Sequence, residues 1–428
     1  MNTSRPLSRR QFLSRGARGA TALGLGFLGA SAPLPIAHAD GADEFGDLLP
    51  PDSNGLRLPP GFTSRIVAVT GNRVAGTNHS WHLAPDGGAT FETPDGGWVY
   101  VSNSEVVGDE GGVGAIAFAR DGTIRDAYTI LSGTSRNCAG GRTPWGTWLS
   151  CEETNTGRVF ECDPVTPGSQ GSVRPALGVF AHEAAAVDPL RQHVYMTEDQ
   201  PNGLLYRFSS SNYPSLAAGT LEAAEILDPN GRGPIVPGET RPLAWHVVPD
   251  PSATTTATLD QVPNATSFRG GEGCWFDAGT LFFSSKGDTR VWRIDTSSDQ
   301  IEILYDFATA PSNALRDVDN VFAASTGDVY VAEDPGDLQI VALTPSGQVR
   351  PIVQVMGQSH TEITGPALSP DGHRLYFSSQ RNPGTTYEVS GPFTSGPVSL
   401  PSLGSLEHLF LGTGMSIAGA LGARDCPA

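Results

Sequence analysis

"HEAAAVDPLRQHVYMTED", residues 182–199, decides the fold. Two short apolar runs flank Asp188-Pro189, a pair that starts a turn because proline fixes φ and aspartate bonds its own backbone. Each run is too short for a helix, so the stretch reads as a β-hairpin whose second strand ends in acid. The second strand recurs along the chain as "GGWVYVSNSE" (96–105), "WGTWLSCEE" (145–153), "QHVYMTED" (192–199), "GTLFFSSKGD" (279–288), "GDVYVAED" (327–334) and "HRLYFSSQ" (373–380). Aligned on Tyr100, Trp148, Tyr195, Phe282, Tyr330 and Tyr376, the copies are spaced by 48, 47, 87, 48 and 46 residues. All but the third spacing match one propeller blade of about 40–50 residues. First strands recur as well, in "GEGCWFDAG" (271–279), "DNVFAASTG" (319–327) and "TGPALSPDG" (364–372). The expected fold is all-β, a six-bladed β-propeller with a central metal-binding channel. Residues 40–428 form a single domain, and the long spacing is an insertion around 210–262 that is rich in Pro, Gly and Thr and lacks the hairpin pattern.

The N-terminus gives the compartment. Ser8-Arg9-Arg10-Gln11-Phe12-Leu13 fits the twin-arginine pattern, and a glycine-rich apolar run then leads to the small-x-small site Ala37-His38-Ala39. Residues 1–39 are therefore expected to be a twin-arginine signal peptide, and the mature protein to be periplasmic or extracellular. Removing that segment takes five arginines and no acids, which moves the formal charge from −18 to −23. So acidic a chain repels nucleic acid and anionic lipid, and neither is an expected partner. No stretch after the signal is long enough to span a bilayer, and a closed propeller has little need of a second subunit, so a monomer is expected.

A propeller brings equivalent positions of distant repeats together around its channel. The first strands open with Glu183, Glu272, Asp319-Asn320 and Glu362, and the second strands end with Glu105, Cys151-Glu152-Glu153, Glu198-Asp199, Asp288 and Glu333-Asp334. Crowded carboxylates cannot all ionise without a compensating cation. A hard cation such as calcium suits their oxygens, and a thiolate among them favours a transition metal such as iron. Five cysteines, Cys138, Cys151, Cys162, Cys274 and Cys426, leave at least one unpaired. With Cys151 as a ligand, the other four either form two disulfides or stay reduced. His79, His82, His182 and His360 read as hydrogen-bonded structural residues. No HExxH, Walker loop or GxSxG is present, so zinc-protease, P-loop and serine-hydrolase readings find no support.

The motifs "TPWGTWLSCEE", "HEAAAVDP" with "VYMTED" and "GLLYRF", "GEGCWFD", "DVDN" with "VYVAED", and "EITGPALSPDG" with "LYFSSQ" resemble those of the PhoX-type bacterial alkaline phosphatases, over about residues 78–382. The resemblance implies twin-arginine export, a six-bladed propeller, and hydrolysis of small-molecule phosphomonoesters at a cluster of Fe3+ and Ca2+ ions. It implies Cys151 as the iron-binding cysteine, Glu183, Glu272 and Glu362 as metal ligands, and Asp319 and Asn320 as calcium ligands or their supports. Members carry an arginine two residues before the "EG" glutamate to hold phosphate. Here that place is Gly270, which leaves Arg269 and the chain's one lysine, Lys286, as the catalytic cations. Two other readings fit the same architecture: a calcium-dependent lactonase-type propeller hydrolase, and a non-catalytic exported propeller with a structural cation.

Overall fold

The computed structural model describes residues 45–393 apart from Asn382, so the signal segment 1–39 and Cys426 lie outside the described residues. Chain order generates the sheets almost directly. Strands β3 (Pro85–Glu92), β4 (Trp98–Ser104), β5 (Gly111–Phe118) and β6 (Ile124–Thr134) form one antiparallel sheet. The next is β7 (Asn137–Arg142), β8 (Trp148–Glu152), β9 (Val159–Cys162) and β10 (Ser172–Val173). A nine-stranded sheet follows. It runs through β11 (His182–Asp188), β12 (His193–Glu198), β13 (Leu205–Asn212), β14 (Ser215–Ile226) and β15 (Thr240–Val247). It continues through β19 (Gln300–Asp306), β18 (Arg290–Asp295) and β17 (Thr280–Ser285) to β16 (Gly271–Asp277).

The chain's first two strands complete the last two sheets. β1 (Leu56–Arg57) edges the sheet of β20 (Val318–Ala323), β21 (Val329–Glu333), β22 (Gln339–Leu343) and β23 (Val349–Val355). β2 (Thr63–Val69) pairs with β26 (Thr385–Ser390), outside β25 (Arg374–Ser379) and β24 (Ile363–Leu368). Helix among the described residues is limited to three-residue 3-10 turns. The inner strands pack side by side in the order β3, β7, β11, β16, β20, β24 and back to β3, so the all-β arrangement is propeller-like.

The stretch 210–262 carries strands of its own. It contains β14 and β15, which pair with each other from Glu222 opposite Val247 to Ile226 opposite Leu243. β15 also pairs with β19 through Thr240, Arg241 and Pro242, and so joins two groups of four strands into one sheet. Pro242 sits in that short, slightly buried contact, where a missing N–H costs little.

Aromatic residues of the second strands fill the space between sheets. Tyr100, Tyr195 and Tyr376 are wholly buried, and the Tyr100 and Tyr376 rings stack across a sheet boundary at 5.1 Å. Trp148 spans another boundary, its indole donating to Asn103 Oδ1 at 2.9 Å. Burying one such side chain contributes about 3 kcal/mol.

Glycine sets how closely the inner strands approach. A Cβ on Gly141 would lie 1.7 Å from Ala185 O, one on Gly273 would lie 2.4 Å from Val321 N, and one on Gly87 would lie 2.5 Å from Ala139 Cα. These atoms are backbone of the neighbouring inner strand, so a side chain there has to push two sheets apart. Gly141→Ala is expected to cost about 3 kcal/mol or more, read as a loss of thermal stability. A melting temperature equal to wild type would contradict this account of the inner ring.

Candidate functional site

One irregularity, repeated, builds the site. In β3, β7, β11, β16 and β20 the register with the next strand slips just after the first residue: between Pro85 and Gly88, Asn137 and Gly140, His182 and Ala185, Gly271 and Cys274, and Val318 and Val321. A bulge of this kind leaves residues out of the ladder and re-aims their side chains. The first residue inside each slip is Asp86, Cys138, Glu183, Glu272 or Asp319. Four carboxyls and a thiol thus leave equivalent places and meet at one end of the channel. In β24 the slip falls later, between Thr364 and Ala367, and that strand contributes Glu362 from just before its start.

A second ring surrounds the first. The backbone N–H of Glu105, Glu153, Asp199, Lys286, Asp334 and Gln380 donates to the carbonyl of Ala84, Arg136, Ala181, Gly270, Asp317 and Glu362 respectively, at 2.7 to 3.2 Å. The same hydrogen bond therefore recurs at all six inner strands and fixes six side chains around the mouth.

Ligand atoms of four groups lie within 4.8 Å of one another: Glu183, Glu272 and Asp319; Cys138, Glu153 and Glu183; Asp86, Glu105 and Glu362; and Asp319, Asp334 and Glu362. Burial first, and neighbouring acids second, push Asp86, Glu183 and Glu272 well above the usual carboxylate range, although Lys286 works against this at Glu272. Asp319 is raised in the same way, by burial and then Glu272. Cys138 is also raised, by burial and then by Asp86 and Glu183. Lys286 Nζ lies 3.2 Å from Glu272 Oε1 and 2.7 Å from Asp334 Oδ2. Burial disfavours its charge, but Glu272, Asp319 and Asp334 outweigh that and hold it protonated. One lysine does not balance so many acids. Glu183 Oε1 is enclosed and accepts no hydrogen bond among the described residues. A buried acceptor without a donor fits a cation. The all-oxygen group of Glu183, Glu272 and Asp319 suits a hard ion, and the group containing Cys138 suits a softer one.

Several expected site residues come together: Glu183, Glu272, Asp319, Glu362 and Lys286 share the cluster. Asn320 has a bracing position, its amide donating to Asp319 Oδ1 at 2.9 Å and its oxygen accepting from Gly365 N–H at 2.7 Å. Arg269 is exposed at the rim, where its carbonyl accepts from Gly287 N–H at 2.8 Å. Its side chain makes no hydrogen bond or ion pair among the described residues.

Cys151 has different surroundings. Its thiol is fully buried in an apolar cluster with Leu149, Val159, Phe180 and Met196, and it belongs to none of the four groups. β8 is a second strand, sandwiched between sheets, and its alternation turns Trp148 and Ser150 toward Asn103 while Leu149 and Cys151 face the next sheet. The thiol among the carboxylates is Cys138. Cys138, Cys151, Cys162 and Cys274 are all free.

Asp86, Cys138 and the two arginines beside Glu105, Arg136 and Arg381, are the residues that the sequence reading missed. Cys138 had a signal: it follows a strand's first residue as Glu183 follows His182 and Glu272 follows Gly271. Other acids from the second strands serve the fold. Glu152 accepts from Ser135 and Arg158 N–H, Glu198 from Leu204 N–H and the Tyr206 hydroxyl, and Glu333 from Arg316, Asp337 and Gln339 N–H. His182 donates from Nε2 to the Gly178 carbonyl at 3.1 Å, and burial lowers its pKa to about 3.

The raised carboxyls set a pH dependence. Burial above all lifts Glu153 from 4.5 to about 7 and Glu362 from 4.5 to about 10. Their folded pKa values exceed the unfolded ones, so between pH 4.5 and 10 the native state holds extra protons and stability falls as pH rises. With cations chelated, the melting temperature is expected to be lower at pH 8.5 than at pH 5.5, and added calcium to narrow that gap. A gap that calcium leaves unchanged would show that the cluster is not responsible.

The profile of the family described as alkaline phosphatase PhoX matches residues 101–159 and 154–384. Among solved structures, Pseudomonas fluorescens PhoX in complex with vanadate, described as a transition state analogue, superposes with a TM-score of 0.66 at 17% identity. The match covers 81% of this chain and 97% of that one. A Bacteroides thetaiotaomicron protein of unknown function matches with a TM-score of 0.47 at 9% identity, covering 77% and 76% of the two chains. A putative 6-phosphogluconolactonase from Bacteroides uniformis matches with a TM-score of 0.37 at 12% identity, covering 69% and 81%. No curated protein matches the chain. The profile extends over most of the inner strands and the cluster they assemble, and the chain belongs to the PhoX family of alkaline phosphatases.

Proposed function

We propose that this phosphatase hydrolyses small-molecule phosphomonoesters at an iron and calcium cluster in the channel of a six-bladed propeller. The observation that carries the reading is the buried meeting of Glu183, Glu272 and Asp319, with Glu183 Oε1 left without a hydrogen-bond donor. In the six-blade reading the nine-stranded sheet is two blades joined through β15, and the β1 and β2 strands complete the last two.

Cys138, Glu153 and Glu183 would hold iron, while Glu272, Asp319, Asp334 and Glu362 would hold calcium and Asn320 would orient Asp319. Bound there, the cations supply Lewis acidity that polarises the phosphoryl group and offsets charge developing in the transition state. The chain's own residues position the ester. Lys286, held protonated between Glu272 and Asp334, presents fixed positive charge beside the phosphoryl oxygens. Arg269 at the rim adds to the field that draws in an anion despite the chain's negative charge.

In this reading residues 1–39 direct twin-arginine export, which carries a folded, metal-loaded chain to the periplasm or beyond. The mature protein acts as a monomer. Among the described residues no helix is long and apolar enough to cross a membrane.

Purified protein is expected to contain iron and calcium by elemental analysis and to turn over p-nitrophenyl phosphate. Cys138→Ala should remove the iron and lower kcat/KM by about 100-fold or more, as expected when a metal site is lost. Cys151→Ala should keep both metals and most of the activity. Metal-free protein with full activity, or iron lost only in Cys151→Ala, would refute the assignment.

A further inference from the structure

Glu105 falls within the carboxylate cluster by distance, yet its bonding sets it apart from the others. Its Oε1 accepts from Arg136 Nε at 3.2 Å and Nη2 at 3.0 Å. Its Oε2 accepts from Gln380 Nε2 at 3.0 Å and from Arg381 Nη2 at 2.7 Å. With four donors on two oxygens the carboxylate is saturated, in contrast to Glu183. It binds a guanidinium on each side, and without it the two cations would repel one another across the mouth.

Both arginines are anchored at the back and open at the front. Arg136 Nη2 also reaches Glu153 Oε2 at 2.8 Å, and Arg381 Nη2 reaches Glu362 Oε1 at 3.4 Å, while Arg381 Nε donates to Gln380. Nη1 of each makes no hydrogen bond among the described residues. Their side chains are 40% and 50% exposed, while Glu105 is 8% exposed, so both guanidiniums are open to solvent over a buried splint.

Backbone geometry reinforces the placement. Arg136 has φ 49, a left-handed conformation that disfavours a side chain. Gly270, with φ 65, stands at the same place two inner strands away, since both carbonyls accept the recurring ring hydrogen bond. Ala84 and Asp317 hold the same place with φ 43 and 44, so the left-handed turn belongs to the ring itself and fixes where the Arg136 side chain starts.

We infer that Arg136 and Arg381, splinted on Glu105, form a two-guanidinium clamp for the terminal phosphoryl group of the substrate. Two planar forks held on one carboxylate match the oxygens of a phosphate, and bonds between charged partners are the stronger kind. A monoester offers three non-bridging oxygens and up to two charges, whereas a diester offers two oxygens and one charge, so the clamp selects monoesters. This rests on the phosphatase reading above.

The test uses metal-loaded protein and the variants Arg136→Gln, Arg381→Gln and Arg136→Lys. Readouts are iron and calcium content, KM and kcat for p-nitrophenyl phosphate and bis(p-nitrophenyl) phosphate, and inhibition by orthophosphate. Each glutamine variant should keep its metals, raise KM and the orthophosphate inhibition constant by about tenfold, and lose preference for the monoester. Arg136→Lys should recover only part, because an ammonium keeps the charge and loses the fork. Unchanged KM and orthophosphate inhibition would overturn the clamp, as would a loss of metal that accounts for the whole defect. Should wild type hydrolyse no phosphoester, the phosphatase reading fails by itself. Calorimetric binding of orthophosphate to wild type and to Arg136→Gln then decides the clamp: tenfold weaker binding upholds it and equal binding overturns it.

Discussion

Mutual repulsion among buried carboxylates is the constraint that the rest of the site answers. Glu183, Glu272 and Asp319 place oxygens within 4.8 Å of one another. Two unit charges at about 4 Å repel by roughly 4 kcal/mol at an effective dielectric of 20, so three ionised groups would cost about 12 kcal/mol. That is comparable to the whole stability of a typical domain, about 5–15 kcal/mol. Protons or cations have to share the space. Lys286 neutralises one side, bridging Glu272 and Asp334, and Arg136 and Arg381 neutralise the acids of the rim through Glu105, Glu153 and Glu362. Deeper in, at Glu183, no donor is provided.

Tolerating such a cluster requires a frame that cannot open. The inner strands pack so closely that glycine backbones touch, and β1 and β2 from the start of the chain complete the sheets formed by its end. Separating the carboxylates would mean breaking those sheets. Repulsion is therefore confined to protonation and ion binding, which is how a rigid scaffold converts charge crowding into affinity.

Much of this was legible in the sequence. Hairpins with turns such as Asp188-Pro189, and aromatics at blade spacing, pointed to a propeller-like all-β fold. Glu183, Glu272 and Asp319 stood out because they open apolar strands. The place of Cys151 in its strand turns on register. Alignment on Tyr100 and Trp148 is one residue out of step with Tyr195, since Glu105 and Glu153 follow those aromatics by five residues while Asp199 follows Tyr195 by four. A slip of one residue moves a side chain to the other face of its strand. In the true register Glu152 takes the place assigned to Cys151, and Cys138 enters the channel. Asp86 was hidden differently. "PDGG" has the composition of a turn, yet here it is the bulge of an inner strand, with Gly87 and Gly88 admitting the neighbouring backbones. The pairing of β15 with β19 also escaped notice, because a short bridge containing Pro242 carries none of the alternation that marks a strand.

The central claim is that the inner-strand bulges assemble a cation site at Glu183, Glu272 and Asp319. Anomalous diffraction from crystals of the purified protein, collected on both sides of the iron edge and with strontium or manganese exchanged for calcium, tests it most directly. The account predicts peaks bonded to these carboxylates at about 2.0–2.6 Å, with iron beside the Cys138 thiolate. Density in which these carboxyls bind only one another and water, with no anomalous signal, would contradict it.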